Sequence, residues 1–487
     1  MTPCHIHCTA SLGDLVMVEV HSDVRLFEDQ WFCDKISVKA PEGEELMFPC
    51  YRWLSSKAGL YLRPASGKLP FQDTHPIAYK QRQRQLDEAH NNFRWRVYAE
   101  GLPQTVDADS FCKLPAEVQF SFKKFVDFFS TAATELCALG LKKYVHCTKS
   151  WRSLSKLEKM MSESFSSSQT YEYVLNHWKE DKFFGYQLLN GLNPMMIQCC
   201  SKLPENFLVT EEMVKDSLNG SNLEHEIEKG NIFLCDYKML DGLVGNVVHD
   251  RQQYHTAPLV LLYCNPQGLM LPIAIQLGQT PGPENPIFLP TDPKHDWLLA
   301  KIFVRAAEFS VHESDFHLLR THLLCEVFTM ATLRNLPSIH PLYKLIFPHI
   351  RYTLHINILA RNQLISENGV LTKYSGMGGK SLSELLKRGT SSLTYSSLCL
   401  PENISERGLE DVPNYYYRDD GIELWNIIYR YVKGVLTHYY KSDDYVQKDT
   451  ELQGWIRGIF VYGFLGKECT GEFEALIMFI LHSSTHY

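Results

Sequence analysis

WLLAKIFVRAAEFSVHESDFHLLRTHLLCEVFTMATLRNL, residues 297–336, holds neither glycine nor proline. With both helix punctuators missing, the stretch reads as one long helix. In its second half Leu318, Leu319, Leu323, Leu324, Val327, Phe328 and Ala331 put apolar groups on almost every face, the pattern of a helix at a protein's centre. His317, His322 and Glu326 lie inside that apolar run. An unpaired polar group costs several kcal/mol there, so each needs a partner.

His317 and His322 are five residues apart, and on a regular α-helix that spacing leaves them about 140° apart in azimuth. A single π-bulge brings them onto one face, and such bulges cluster at functional sites. Two neutral imidazoles converging in apolar surroundings suit a borderline transition metal such as iron. For an arbitrary HxxxxH two satisfied core histidines are the default reading, so the neighbouring sequence has to decide.

Other motifs fall away on inspection. His312-Glu313-Ser314-Asp315-Phe316-His317 has one residue too many for the HExxH zinc spacing. SGMGGKS, residues 375–381, reads as a flexible glycine-rich turn, because Tyr374 stands where a phosphate-binding loop needs its first glycine. Cys4, His5, His7 and Cys8 are too close in sequence to surround one ion tetrahedrally without strain. Glu326, one turn after His322, reads as a residue that bonds a ligand imidazole or a neighbouring helix, not as a ligand itself.

The chain has 487 residues, 48 Lys+Arg against 56 Asp+Glu, and a net charge of −8. No global basic field draws in a nucleic-acid backbone, so nucleic acid is excluded as an expected partner. Fourteen cysteines without CxxC pairs, and an opening MTPCHIHCTASLGD without a signal-like apolar stretch, point to a reducing, cytoplasmic setting. Runs such as residues 257–264 and 476–481 are far shorter than the roughly 20 residues that cross a bilayer, so membrane contact is expected to be peripheral.

From Asp14 to Leu54 short runs rich in Val, Ile and aromatics read as strands. Too few for a barrel, they must lean on another element. KQRQRQLDEAHNNFRWRVY, with Lys80, Arg82, Arg84, Arg94 and Arg96, reads as a solvated connector helix. From Asp109 onward helical periodicity is expected to prevail, interrupted at Gly191–Pro194 and Gln279–Pro293.

WLLAKIFVRAAEF, HLLRTHLLCEVF, LPSIHPLYKLIFPHIRYTLHIN and ARNQLISENG follow in order between Trp297 and Gly369 and resemble the animal lipoxygenase catalytic domain. LNGLNP (189–194), GNIFLCDYKMLDG (230–242), ENPIFLP (284–290), LTYSSLCLPE (393–402) and YYYRDDGIELW (415–425) extend the likeness. WFCDKISVKAPEGEELMFPCYRWL (31–54) resembles the end of the PLAT β-barrel that precedes this domain in the family.

The resemblance implies a mainly α fold: residues 1–55 as a partial PLAT β-barrel remnant and residues 56–487 as a lipoxygenase catalytic domain without its C-terminal part. It implies one non-haem iron held by His317, His322 and His486, with the family's asparagine and C-terminal isoleucine ligands expected to be missing. It places Leu318, Ile356 and Leu364 along a substrate channel, with Phe309, Tyr374 and Ser375 at positions that set its depth. Ala360 matches the position where alanine accompanies S-configured products and glycine R. The implied reaction inserts molecular oxygen into a polyunsaturated fatty acid, or converts its hydroperoxide. The alternative is an inactive truncated isoform that binds lipid or a full-length partner. Calcium-driven docking is not implied, because the loops that carry it in the PLAT module have no counterpart in the matching strands.

Overall fold

The computed structural model describes residues 7, 13–21, 31–39, 45–54, 60–131, 153–156, 158, 169–248, 250–394 and 396–466. Backbone proximity divides the chain into two compact units, each built from separated stretches. One comprises Met1–Gln119, Leu323–Leu359 and Arg430–Tyr487, the other Phe120–His322 and Ala360–Tyr429.

In the first unit the expected strands form antiparallel pairs, one of them with a strand, Leu60–Leu62, that lies past the stretch read as β. Trp31–Lys39 pairs with Glu45–Leu54, placing Ile36 opposite Phe48, and Val18–Val20 pairs with Leu60–Leu62. Cys33, Phe48, Cys50 and Leu62 form their buried cluster, edged by Val18, Val20, Ile36 and Leu46. The strands do lean on a neighbour. Arg63, one residue past the last strand, donates from Nε to Val16 O, from Nη1 to Ala78 O, and from Nη2 to the Asp73 carboxylate at 2.8 Å.

Ala78 lies in the helix Pro76–Asn92, which begins with proline at a position where no backbone N–H is needed. This helix is the expected connector with two corrections: it ends at Asn92, so Arg94 lies past it and Arg96 falls in the short strand Trp95–Arg96, and Arg82 is not solvated. It is 1% exposed and grips Glu451 through two bonds of 2.6 and 2.5 Å, while Nη1 lies 3.4 Å from Asp73. A charge run shows which residues are charged but not which one faces inward; here the carboxylate that selects Arg82 is 369 residues away. In the same unit the helix Leu324–Asn335 is buried along Leu324, Val327, Met330, Ala331 and Leu333, and Trp455 on the helix Thr450–Tyr462 donates to Thr332 Oγ1 at 2.9 Å. Gly454 permits the close approach, since a Cβ there would lie 3.0 Å from Asn335 Oδ1.

The second unit departs from the expected helical run by containing a five-stranded antiparallel sheet, in the order Ile287–Phe288, Met270–Gln276, Leu259–Cys264, Ile232–Asp236, Ile197–Cys199. Every residue of Leu259–Cys264 is buried, so that strand lacks the polar alternation that betrays a strand in sequence. The helix Asp181–Asn190 packs on Met270–Gln276, and only glycine fits at 185, where a Cβ would meet Met270 O at 1.9 Å. The helix Lys294–Val311 turns Trp297, Ala300, Val304, Ala307 and Val311 into the same core. The glycine-rich stretch 375–381 is the turn expected of it, with Gly379 at φ +65° capping the helix Lys380–Ser392.

Two consequences follow for stability. Replacing Arg82 by Met leaves the Glu451 carboxylate buried and unpaired, so Arg82→Met is expected to lose about 3–5 kcal/mol in denaturant unfolding; a loss below about 1 kcal/mol would show that the pair is dispensable. Glu308 is buried beside Arg305, with Oε1 and the nearby Tyr237 hydroxyl lacking hydrogen-bond partners among the described residues, and burial pushes its carboxyl up to about 7. A carboxyl raised above its unfolded value favours the fold at low pH and loses that contribution as pH rises through about 7. Glu308→Gln removes the ionisation, so its stability relative to the parent should increase between pH 5 and pH 8 by up to about 3 kcal/mol; unfolding midpoints that shift in parallel across that range would contradict it.

Candidate metal centre

The stretch quoted from the sequence folds as a helix in three parts: α over Lys294–Val311, π over His312–Leu323, and α over Leu324–Asn335. Backbone bonds to the fifth residue widen each turn, so residues five apart come to lie above one another. His317 and His322 therefore converge, their Nε2 atoms 3.1 Å apart and their rings inclined by 67°. Two imidazoles bound at about 2.1 Å and at right angles around one ion would have nitrogens about 3.0 Å apart. The 3.1 Å contact is a hydrogen bond between the two rings, and its length also suits two neighbouring ligands of one ion.

Glu313, one turn earlier, places Oε2 3.2 Å from His317 Nδ1. A carboxylate there favours the proton on Nδ1, so Nε2 is the accepting nitrogen, the one that takes the hydrogen bond from His322 and the one that would coordinate an ion. Sequence reasoning missed this role, although the i, i+4 spacing was visible. His312 stacks on His317 with ring centroids 6.0 Å apart, and burial holds its imidazole below the usual histidine range. One expectation needs correcting. The His317 side chain is 47% exposed and so is not enclosed by the apolar run around it, because the wider π turn carries it off the buried stripe of Leu318, Leu319 and Leu323.

Glu326 takes the bridging role expected of it and is no ligand: Oε1 accepts from Val106 N at 2.9 Å and Oε2 from Asn357 Nδ2 at 2.8 Å, with no exposure to solvent. His486 lies outside the described residues. Of the channel positions, Leu318 is buried, Ile356, Ala360 and Ser375 are half-buried, and Phe309, Leu364 and Tyr374 are exposed. Ser375 is tied into its turn, Oγ accepting from Met377 N and its carbonyl from Asn246 Nδ2. Ala360 ends the helix Thr353–Ala360, directly before a second π turn, Arg361–Ile365.

The lipoxygenase family matches residues 105–471, and the PLAT/LH2 domain family matches residues 4–63. The chain belongs to the lipoxygenase family. It is 45% identical to the polyunsaturated fatty acid lipoxygenase ALOX15B of Homo sapiens over 93% of its own length and 68% of that protein's. It is 40% identical to the hydroperoxide isomerase ALOXE3 of Mus musculus, over 96% and 71%. A lipoxygenase crystallised anaerobically with arachidonate superposes with a TM-score of 0.87 at 33% identity, covering 93% of this chain and 69% of that one.

Lipoxygenases normally use non-haem iron, and the nitrogen separation at His317 and His322 fits such an ion. A second group of possible ligands does not. His340, Asp449 and Glu451 lie within reach of one another and are buried, but their ligand atoms are already occupied. His340 Nδ1 accepts from Leu342 N, its Nε2 pairs with Asp449 Oδ2 at 2.9 Å, Tyr440 donates to that same oxygen at 2.6 Å, and Arg82 holds Glu451. An ion there would have to displace a guanidinium and a phenol. In this lipoxygenase Glu313→Gln is expected to weaken Co(II) binding about 10- to 100-fold and His322→Ala to abolish it, both without loss of the cooperative melt. Unchanged titration isotherms for either variant would remove that residue from the site.

Proposed function

We propose that the protein is a lipid dioxygenase that holds non-haem iron through His317, His322 and His486 and inserts molecular oxygen into a polyunsaturated fatty acid. The observation that carries the reading is the 3.1 Å convergence of the two Nε2 atoms, joined to the similarity to fatty-acid lipoxygenases. The chemistry iron supplies when bound is one-electron oxidation at the weak C–H bond between two cis double bonds.

The residues supply position and environment. His317 and His322 each present a ring nitrogen, and the Glu313 carboxylate, bonded at Nδ1, orients the His317 ring so that Nε2 faces His322. Leu318, buried next to His317 in the chain, excludes water from the reacting carbons, and the family resemblance assigns Leu364, Phe309, Tyr374 and Ser375 to the path by which the acid enters. Ala360, at the position where the family's alanine accompanies S-configured products, directs oxygen to one face in this reading. The exposed Phe32, Met47 and Tyr51 on the N-terminal strands support peripheral membrane contact, and no helix among the described residues is long and apolar enough to cross a membrane.

The 40% identity to a hydroperoxide isomerase favours a second reading, conversion of a fatty-acid hydroperoxide. Iron-loaded protein given the free acid with oxygen should form conjugated diene; given the hydroperoxide it should consume it only on the second reading. Iron uptake with neither reaction would leave a lipid-binding protein. Under the first reading Ala360→Gly should move part of the product to R configuration, and an unchanged enantiomer ratio on chiral chromatography would make Ala360 a packing residue.

A further inference from the structure

The π segment carries a second pair of side chains at the same five-residue spacing as its histidines. Arg320 Nε donates to Asp315 Oδ2 at 3.1 Å, and the two side chains are only 16% and 3% exposed. Thr321 Oγ1 donates to Phe316 O at 2.8 Å, again five residues back. On an α-helix each of these partners would diverge by about 140°. In that register Asp315 would remain buried and lose its guanidinium, an arrangement that strongly disfavours it.

Elements outside the helix hold both ends of the pair. Arg320 Nη1 donates to Ser397 O at 3.2 Å, and its guanidinium lies 4.6 Å from the centre of the Phe316 ring. Facing Asp315 on the helix Lys380–Ser392 is Gly389, where a Cβ would sit 2.3 Å from Asp315 Oδ1 and 2.9 Å from Leu319 Cδ2. The facing helix therefore needs glycine at 389 for Asp315 to occupy its place.

We infer that Asp315 and Arg320 are positioning residues for the metal site: an ion pair that closes only in the π register and so holds His317 over His322. Neither contacts an imidazole in the way Glu313 does; both act through the backbone. The inference rests on the iron reading above only for what the register serves.

The register can be read without any metal. In the full chain carrying His317→Cys and His322→Cys, mild oxidation should form a 317–322 disulfide, identified by peptide mass. On an α-helix the axial rise alone, about 7.5 Å, exceeds the Cα separation a disulfide allows. Adding Arg320→Gln, or the isosteric Asp315→Asn should the former fail to fold, is expected to abolish the cross-link. Lys301→Met, which breaks the ion pair of buried Lys301, on the same helix, with Asp181 on the helix Asp181–Asn190, should leave it intact. Without those cysteine changes, Arg320→Gln should weaken Co(II) binding about 10- to 100-fold and Lys301→Met should not.

A folded Asp315→Asn or Arg320→Gln protein that cross-links like its parent would overturn the inference, as would a parent cysteine pair that never cross-links. So would equal losses in the Lys301→Met control, which would signal general destabilisation. A cross-link that depends on Arg320 in a chain that takes up no Co(II) would instead sink the iron reading while the register claim stood.

Discussion

The candidate site depends on the bonding of the backbone between His312 and Leu323 to the fifth residue instead of the fourth. A π turn is rarer and less well packed than an α turn, so it persists where surrounding contacts over-determine it. Here the helix continues as α on both sides, anchored by Trp297, Val304 and Val311 before the segment and by Val327, Met330 and Ala331 after it. Within it, the Asp315–Arg320 pair and the Thr321 hydroxyl satisfy polar groups at the five-residue spacing. One change of register thus turns an HxxxxH that would splay its imidazoles into a pair with ligand separation.

A different constraint organises the first unit, whose chain stretches are far apart in sequence. Arg63, Asp73, Arg82, Glu451, Asp449, His340 and Tyr440 form a buried polar assembly in which each named carboxylate accepts from at least one cation or hydrogen-bond donor. His340 Nδ1 accepts from a backbone N–H, so its other nitrogen is the one available to donate to Asp449. Buried charges of this kind contribute little net energy when paired but are costly when one partner is lost. Their effect is to make one arrangement of the three stretches far better than its alternatives.

Much of this was legible residue by residue. The central helix follows from a long run without glycine or proline, and its buried stripe from the leucines that fill it. Glu326 as a bridge followed from the cost of an unpaired carboxylate inside an apolar run. Other features were not. The strand Leu259–Cys264 has no polar alternation because both its faces are covered, and Arg82 resembles its exposed neighbours Lys80 and Arg84 until Glu451 is brought to it. Phe309, Leu364 and Tyr374, which the resemblance places along a channel, are exposed, and residue type alone does not tell which elements cover them.

By itself the sequence determined the family, the long central helix and the identity of His317 and His322 as the residues to test, because those depend on local pattern and residue chemistry. Tertiary structure alone decided that the helix runs in π register at that point, that Glu313 meets His317, that Asp315 has room only because residue 389 is glycine, and that Arg82 faces inward. The physical reason is the same in each case: a local pattern fixes which conformations are cheap, whereas the choice among them is made by partners tens or hundreds of residues away that enter only when the chain has folded.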